Sequence, residues 1–269
     1  MAIRMVAMDL DDTLLRDDWT ISSRTVKAIR AAREQGVKVT IATGRMTISA
    51  KPYVEQLGVD IPVITYHGAM ISQALSGEVL FRKVIPSDLA RKLLGRIAER
   101  RLYAQVYLRD RVVVQEASEW TREYERISNV EIEEVNLGEV LASEPDGVEK
   151  ILVMDEEPRL DAFVPDLQAV FGQDVHITKS KSFFLELTNV DVNKGVALAA
   201  LARKFGIRQE EVMAVGDSLN DLEMIKYAGL GVAMGNARPE VRKIADVITG
   251  TNEEDGVAQA IERYVLRKE

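Results

Sequence analysis

The sequence predicts an α/β protein: a doubly wound parallel sheet carrying an inserted α+β unit. Residues 3–66 alternate apolar, strand-like runs with helix-like segments in the order strand, helix, strand, helix, strand. Between residues 84 and 188 the order changes to a helix followed by paired strands, then another helix and more strands. Beyond residue 188 helix and strand alternate again, so the first sheet is expected to resume after the insert.

The opening run, residues 3–8, is short, apolar and closely flanked by polar residues, as a buried strand requires. It ends at Asp9-Leu10-Asp11-Asp12-Thr13, and residues 14–19 are expected to form a short hairpin or flap. Ser22-Ser23 offers a cap for a helix through Val26, Ile29 and Ala32 to Gln35, stopped by Gly36. Residues 37–42 read as a second strand ending in Thr43-Gly44-Arg45, and a helix from Met46 leads to a third strand at 62–66. In the insert, Pro86-Ser87-Asp88 opens a helix through Leu89, Leu93, Leu94 and Ile97. Strands are expected at 103–108 and 112–115, around an Arg109-Asp110-Arg111 turn, and at 147–154, 175–177 and 183–187. Helices are expected between them at 120–127 and 160–171. The resumed sheet begins with a helix at Val192-Asn193-Lys194-Gly195, with Ala197, Leu198 and Leu201 on one face. A buried strand at 211–215, short strands at 230–234 and 245–248, and a helix at 256–264 follow.

Composition narrows the chemistry. At 269 residues and 46% hydrophobic content the chain can bury one large core or two modest ones. No run approaches the roughly 18 apolar residues of a membrane span, and the first residues lack a signal-peptide pattern, so a cytoplasmic protein is expected. The absence of cysteine removes disulfides, thiol nucleophiles and thiolate metal sites. With only His67 and His176, any hard-metal site must be built from carboxylates. A net charge of −8 counts against nucleic acid as a partner but not against a small anionic substrate.

Asp9 and Asp11 lie two apart, so on a continued strand they would point to the same side. Their repulsion would be relieved by a divalent cation, a shared proton or a nearby lysine. In an open parallel sheet the carboxyl ends of the strands share one edge, where ligands collect. Three such ends carry polar chemistry: Asp9/Asp11/Thr13, Thr43-Gly44-Arg45, and Gly216-Asp217-Ser218-Leu219-Asn220-Asp221, with Lys194 at a helix start. The residue types suit phosphoryl transfer. Asp9 and Asp217 are hard oxygen ligands for Mg²⁺. Thr43, the Gly44 N–H, Lys194 and Asn220 can donate to phosphate oxygens, while one carboxylate attacks phosphorus and another shuttles a proton.

These stretches, in this order along the whole chain, resemble the four motifs of the haloacid dehalogenase (HAD) superfamily. The long insert resembles the large α+β cap of its Cof-type sugar-phosphatase branch. The resemblance implies a Rossmann-like catalytic core of residues 1–83 and 189–269, and a cap of residues 84–188 acting as a substrate-selecting lid. It implies a Mg²⁺-dependent phosphomonoester hydrolase of sugar phosphates or similar small phosphorylated metabolites. Asp9 would be the nucleophile, forming an aspartyl-phosphate. Asp11 would protonate the leaving oxygen and then activate water, its carbonyl lying on the metal. Thr43 and Lys194 would hold the phosphoryl group, with Gly44 and Asn220 contributing donors. Asp217 would bind Mg²⁺ with Asp9, and Asp221 would brace Lys194 or the metal shell. A sugar phosphomutase is the alternative within enzymes, and a phospho-accepting signalling module is the alternative from another class. Receivers of that kind are about half this length and lack an inserted domain.

Two departures from the family pattern stand out. Asp12 occupies a place where many relatives carry Gly, and is expected to be a solvated turn residue. Tyr66-His67-Gly68-Ala69 has His67 where Asn is usual, and His67 is expected to be a hydrogen-bonded loop residue rather than a catalyst. His176, in an insert strand, has the same expectation. Arg45 either lines the cleft or pairs with an acid. Lys179 and Lys181 would share a face in extended structure, and are expected to form an ordinary wet strand edge rather than a second anion site. Tyr103, Tyr107, Phe183 and Phe184 are expected in the core of the insert. The oligomeric state is not legible in the sequence.

Overall fold

The computed structural model describes residues 2–266. The chain begins with β1 (Met5–Met8), whose four residues are all buried. Leu10–Leu14 then coil into one wide helical turn, and a tight loop bonded between Arg16 and Thr20 forms the expected flap. Next come α1 (Ser23–Glu34), β2 (Lys38–Ile41), α2 (Thr47–Leu57) and β3 (Val63–Thr65). Ser22 caps α1 by accepting from the Thr25 N–H at 3.1 Å, the role serines favour at helix starts. The hairpin β4 (Met70–Ser72) and β5 (Val79–Arg82) follows. Its strands are three and four residues long and β5 is mostly exposed, so it lacks the alternation that marks a strand in sequence.

The insert contributes α3 (Ser87–Glu99), β6 (Tyr103–Leu108), β7 (Arg111–Val114), α4 (Glu119–Ser128), β8 (Ile132–Glu134), α5 (Leu137–Ser143), β9 (Lys150–Met154), α6 (Glu157–Phe171), β10 (Val175–Thr178) and β11 (Phe184–Asn189). The remainder is α7 (Lys194–Lys204), β12 (Val212–Gly216), α8 (Leu222–Tyr227), β13 (Leu230–Ala233), α9 (Pro239–Ile244), β14 (Val247–Ile248) and α10 (Gly256–Tyr264). The short β8, α5, α8 and α9 carry no sequence signal, since each is too brief to display a full hydrophobic period.

Five strands form one parallel sheet in the order β14-β13-β12-β1-β2. The chain leaves β1 to one side for β2 and returns to its other side as β12, so β1 sits at the switch point where open α/β sheets bind ligands. The third expected strand, β3, belongs to this sheet only through a bridge between Ala42 and Ile64. Its main pairing is antiparallel with β4, which is a correction to a wholly parallel arrangement. The insert strands form a six-stranded sheet, β10-β11-β9-β6-β7-β8, antiparallel except for β7 with β8.

Three apolar clusters correspond to this layout. The largest packs both faces of the parallel sheet with Ile29, Leu198, Met224 and Ile261 from α1, α7, α8 and α10. A second lies between the insert sheet and the helices α3, α5 and α6. The third joins the insert sheet to the parallel-sheet half: Met46, Tyr66 and Met70 meet Tyr107, Tyr124, Leu152 and Phe184. Tyr66, Tyr107 and Tyr124 stack edge to face at 6.3 and 6.0 Å, the arrangement aromatic quadrupoles prefer. Tyr107 and Phe184 are therefore core residues as expected, whereas Tyr103 and Phe183 are only partly buried at its margin. No described helix is long and apolar enough to cross a membrane.

Leu198 is fully buried on the helix that starts with Lys194. Replacing Leu198 with Ala is expected to lower the unfolding free energy by about 2–5 kcal/mol, read by urea denaturation. A loss below about 0.5 kcal/mol would show that α7 is not held by this packing.

Candidate active site

Asp9 is the first residue after β1, still extended, its N–H bonded to Val215 O on the neighbouring β12 at 3.0 Å. The backbone does not stay extended beyond it. Leu10–Leu14 curl into the wide turn, with Asp12 in the left-handed region at φ 57°. Asp9 and Asp11 therefore do not stand side by side on a strand, correcting the expectation from their spacing. Asp9 Oδ1 meets Lys194 Nζ at 2.7 Å, whereas Asp11 accepts both Arg45 Nε and Nη2, at 2.9 and 2.8 Å.

Lys194 opens α7 behind Asn193, whose side chain accepts from the Val196 N–H at 2.8 Å. Its ammonium is fully buried and also meets Asp221 Oδ1 at 2.6 Å. Asp221 ends a short helical turn, Leu219–Asp221, after β12. Its other oxygen accepts the backbone N–H groups of Asp217 and Ser218 at 2.9 and 3.1 Å. Asp221 is thus a brace for both Lys194 and the loop that carries Asp217. Gly216 permits this fold-back, since a Cβ there would lie 2.5 Å from the Asp221 carboxylate. Asp217 in turn accepts the Thr13 hydroxyl at 2.7 Å.

Asp9, Asp217 and Asp221 present oxygens that lie within 4.8 Å of one another, all buried. Burial pushes the Asp9 carboxyl up to about 8, with Asp221 and Asp11 adding to the rise and Lys194 opposing it. Asp217 is raised well above the carboxylate range by burial and by Asp221 and Asp9. Lys194 moves the other way: burial opposes its charge, but Asp221 and Asp9 outweigh burial and hold it protonated. The cluster has three carboxylates and one ammonium, so it lacks positive charge. Its donors are all hard oxygens, and a divalent cation such as Mg²⁺ fits that set.

Arg45 Cζ lies 5.4 Å from the ring centroids of both Trp19 and Tyr53, so cation–π contacts help place it beside Asp11. Burial would raise the Asp11 carboxyl, but Arg45 outweighs burial and holds it below its ordinary value. Asp12 is a half-exposed turn residue, as expected, but its carboxylate also meets Lys181 Nζ at 2.8 Å, linking the turn to the insert, and its positive φ is one that Gly and Asp tolerate. Lys179 points elsewhere, to Asp161 and Glu157 at 2.7 and 3.3 Å, so the two lysines do not share a face. His176 lies on β10 and does not line the site.

Thr43 is fully buried, its hydroxyl accepting the Arg45 N–H at 3.0 Å. Asp9, Gly44, Asp217 and Asn220 line a cavity of about 50 Å³, with Thr43 and Lys194 just behind its wall. The far wall is formed by insert residues: Phe184, expected only as insert core, and Tyr124, Lys150 and Glu186, which no sequence motif marks. A signal existed for the last two, each a lone charge in or beside an apolar strand (Lys150-Ile-Leu-Val-Met; Phe-Phe-Leu-Glu186-Leu). Lys150 Nζ donates to Gly44 O at 2.8 Å and meets Glu186 Oε1 at 2.7 Å. His67, at φ 56°, brings Nε2 to 2.8 Å from Glu186 Oε1 and Nδ1 to 3.3 Å from Asn220 Nδ2. Burial, Lys150 and Lys194 hold the His67 ring toward its neutral form against the pull of Glu186. Burial would raise Glu186, but His67 and Lys150 outweigh it and hold the carboxylate ionised. With His67 neutral, the 2.7 Å Lys150 pair carries the compensating charge.

A parallel sheet with acidic residues at the end of its first strand, a buried lysine and a second acidic loop defines a class of phosphoryl-handling enzymes, and the comparisons agree. The family model of haloacid dehalogenase-like hydrolases matches residues 6–261. The 5-amino-6-(5-phospho-D-ribitylamino)uracil phosphatase YcsE of Bacillus subtilis is 33% identical over 98% of this chain and 96% of its own. The pyridoxal phosphate phosphatase YbhA of Escherichia coli is 27% identical over 99% of this chain and 100% of its own. A solved haloacid dehalogenase-like hydrolase from B. subtilis superposes with a TM-score of 0.89 at 29% identity, covering 98% of this chain and 100% of that one. The chain belongs to the haloacid dehalogenase superfamily, in its Cof-type branch, and is a phosphatase.

A Cβ on Gly44 would lie 2.1 Å from the His67 ring. Gly44→Ala must therefore displace His67 from Glu186 and Asn220, and is expected to cost about 1–3 kcal/mol of stability. Thermal denaturation checks this; an unshifted melting temperature would mean that the ring is not packed against residue 44.

Proposed function

We propose that this phosphatase hydrolyses small phosphomonoesters through a phospho-Asp9 intermediate, with Mg²⁺ as its cofactor. The observation that carries the reading is the Asp9 carboxylate at the end of β1, held 2.7 Å from buried Lys194 and clustered with Asp217 and Asp221. Asp9, Asp217 and the Asp11 carbonyl would hold the metal, which supplies charge to the phosphoryl oxygens and holds Asp9 as an ionised carboxylate. Asp9 attacks phosphorus as the ester P–O bond breaks. Asp11 passes a proton to the departing oxygen, then takes one from the water that releases inorganic phosphate and restores Asp9. The Arg45 pair keeps Asp11 in its base form, suited to the second step; for the first, Arg45 must loosen so that Asp11 can carry a proton. Lys194, Thr43, the Gly44 N–H and Asn220 stabilise the transferring group's charge.

The domain division proposed is a core of residues 1–83 and 189–269 with a lid of residues 84–188. Its support is the cavity. About 50 Å³ accommodates a few waters, while pockets for small ligands run to about 300–1,000 Å³, so a metabolite enters only when the insert lifts. Tyr124 and Phe184, their rings tilted 43° to each other, then face the leaving group as an aromatic wall. That wall suits sugar phosphates and small ring-bearing phosphates, in keeping with relatives named as a 5-amino-6-(5-phospho-D-ribitylamino)uracil phosphatase and a pyridoxal phosphate phosphatase.

A panel of sugar and heterocyclic phosphomonoesters, with free phosphate as the readout, tests the reading. Asp9→Asn is expected to reduce turnover at least about 10³-fold while the fold is retained. Near-normal turnover in that variant would remove the aspartyl-phosphate step. Chelation is expected to abolish activity, with Mg²⁺ restoring it and the larger Ca²⁺ failing to; full turnover in excess chelator would contradict the metal's role.

A further inference from the structure

We infer that Glu186, on the insert sheet, is a positioning residue that aligns two phosphoryl-binding groups of the core when the insert is seated. The inference rests on the phosphoryl-transfer reading above. Glu186 Oε1 is the branch point of two arms. One runs through Lys150 Nζ, at 2.7 Å, to the Gly44 carbonyl at 2.8 Å. The other reaches His67 Nε2, 2.8 Å from Glu186 Oε1 but off the line of a hydrogen bond, and passes to Asn220, whose Nδ2 is 3.3 Å from His67 Nδ1. The arms end on two separate loops, after β2 and after β12, and these loops carry the Gly44 N–H and the Asn220 amide.

The chemistry of the second arm is directional. An ionised carboxylate only accepts, so Glu186 draws the ring proton of neutral His67 to Nε2. Nδ1 is then an acceptor and can be satisfied only by the NH₂ end of Asn220. That fixes the amide's orientation, with one N–H on His67 and the other free for a phosphoryl oxygen. In the first arm, the Lys150 ammonium is held over the Tyr107 ring at 4.4 Å and pins the Gly44 carbonyl, which orients the peptide of that loop. Lys150, Glu186, His67 and Asn220 are all at least 96% buried, where such bonds are strong and an unmade one is costly. Glu186 and Lys150 belong to β11 and β9 of the insert, whereas Gly44, His67 and Asn220 belong to the core loops. Lifting the insert breaks both arms together, so phosphate binding and insert seating are coupled.

The test uses the full chain with Mg²⁺, with inorganic phosphate as the probe. Glu186→Gln, and the double variant Lys150→Met with Glu186→Leu that removes the pair without stranding a charge, are compared with wild type. The inhibition constant for phosphate is expected to rise at least about tenfold and turnover to fall, with the Mg²⁺ dependence unchanged. Imidazole ¹⁵N NMR is expected to show His67 protonated at Nε2 in wild type and a mixture of tautomers in the variants. A merely structural role would lower the melting temperature but leave the phosphate constant of the folded fraction as it was. Wild-type phosphate inhibition in either folded variant overturns the proposal, as does failure of both to fold. A wild type that neither hydrolyses phosphomonoesters nor is inhibited by phosphate would overturn the underlying reading instead.

Discussion

The buried ammonium of Lys194 is the contact on which the site's arrangement depends. Among the described residues it is the one cation that meets Asp9 and Asp221, two of the three clustered acids. Removing a partner from such a buried group costs about 3–5 kcal/mol, because the charge left behind cannot reach water. Lys194 therefore ties three distant pieces of chain together: the end of β1, the start of α7 and the loop after β12. Asp221 extends this hold by accepting two N–H groups of its own loop, which places Asp217 beside Asp9. The close approach of α7 to α8 serves the same end, since a Cβ on Gly195 would lie 2.5 Å from Glu223 O.

Around that cluster the charges are segregated by partner. Asp11 belongs to Arg45, Asp12 to Lys181, and Asp9 to Lys194, although the three acids lie within four residues of sequence. The wide turn at Leu10–Leu14 makes this possible by aiming each carboxylate differently. Each acid thereby gains its own cation, although Asp11 still adds to the rise of the Asp9 carboxyl. Asp9 and Asp217 are left short of positive charge, the electrostatic condition under which a carboxylate pair takes up a divalent ion.

The insert meets the site through both apolar and charged contacts. The Tyr66–Tyr107–Tyr124 stack and Phe184 supply area, while Lys181–Asp12, Ser218–Ser180 and the Lys150–Glu186 pair supply direction. Apolar contact alone would let the two halves slide. The Lys150–Glu186 pair and the Ser218–Ser180 bond define one seating, because each leaves a buried group unpaired if the register changes.

The sequence by itself determined the sheet class, the insert and the identity of the residues at the strand ends. Those signals are local: an apolar run stopping at acids, a Gly turn, a helix start with Lys194. It also carried reasons for its own departures, since Asp12 and His67 both sit at positive φ, where Gly, Asn, Asp and His are the residues tolerated. Only the tertiary structure decided which acid meets which cation, that β3 turns away into an antiparallel sheet, and that Lys150 and Glu186 line the cavity with His67 against Glu186. Lys150 and Gly44 are 106 residues apart, and Thr13 and Asp217 are 204 apart. Neither strand period nor motif spacing encodes such meetings, because they depend on how two separately packed sheets come to rest against each other.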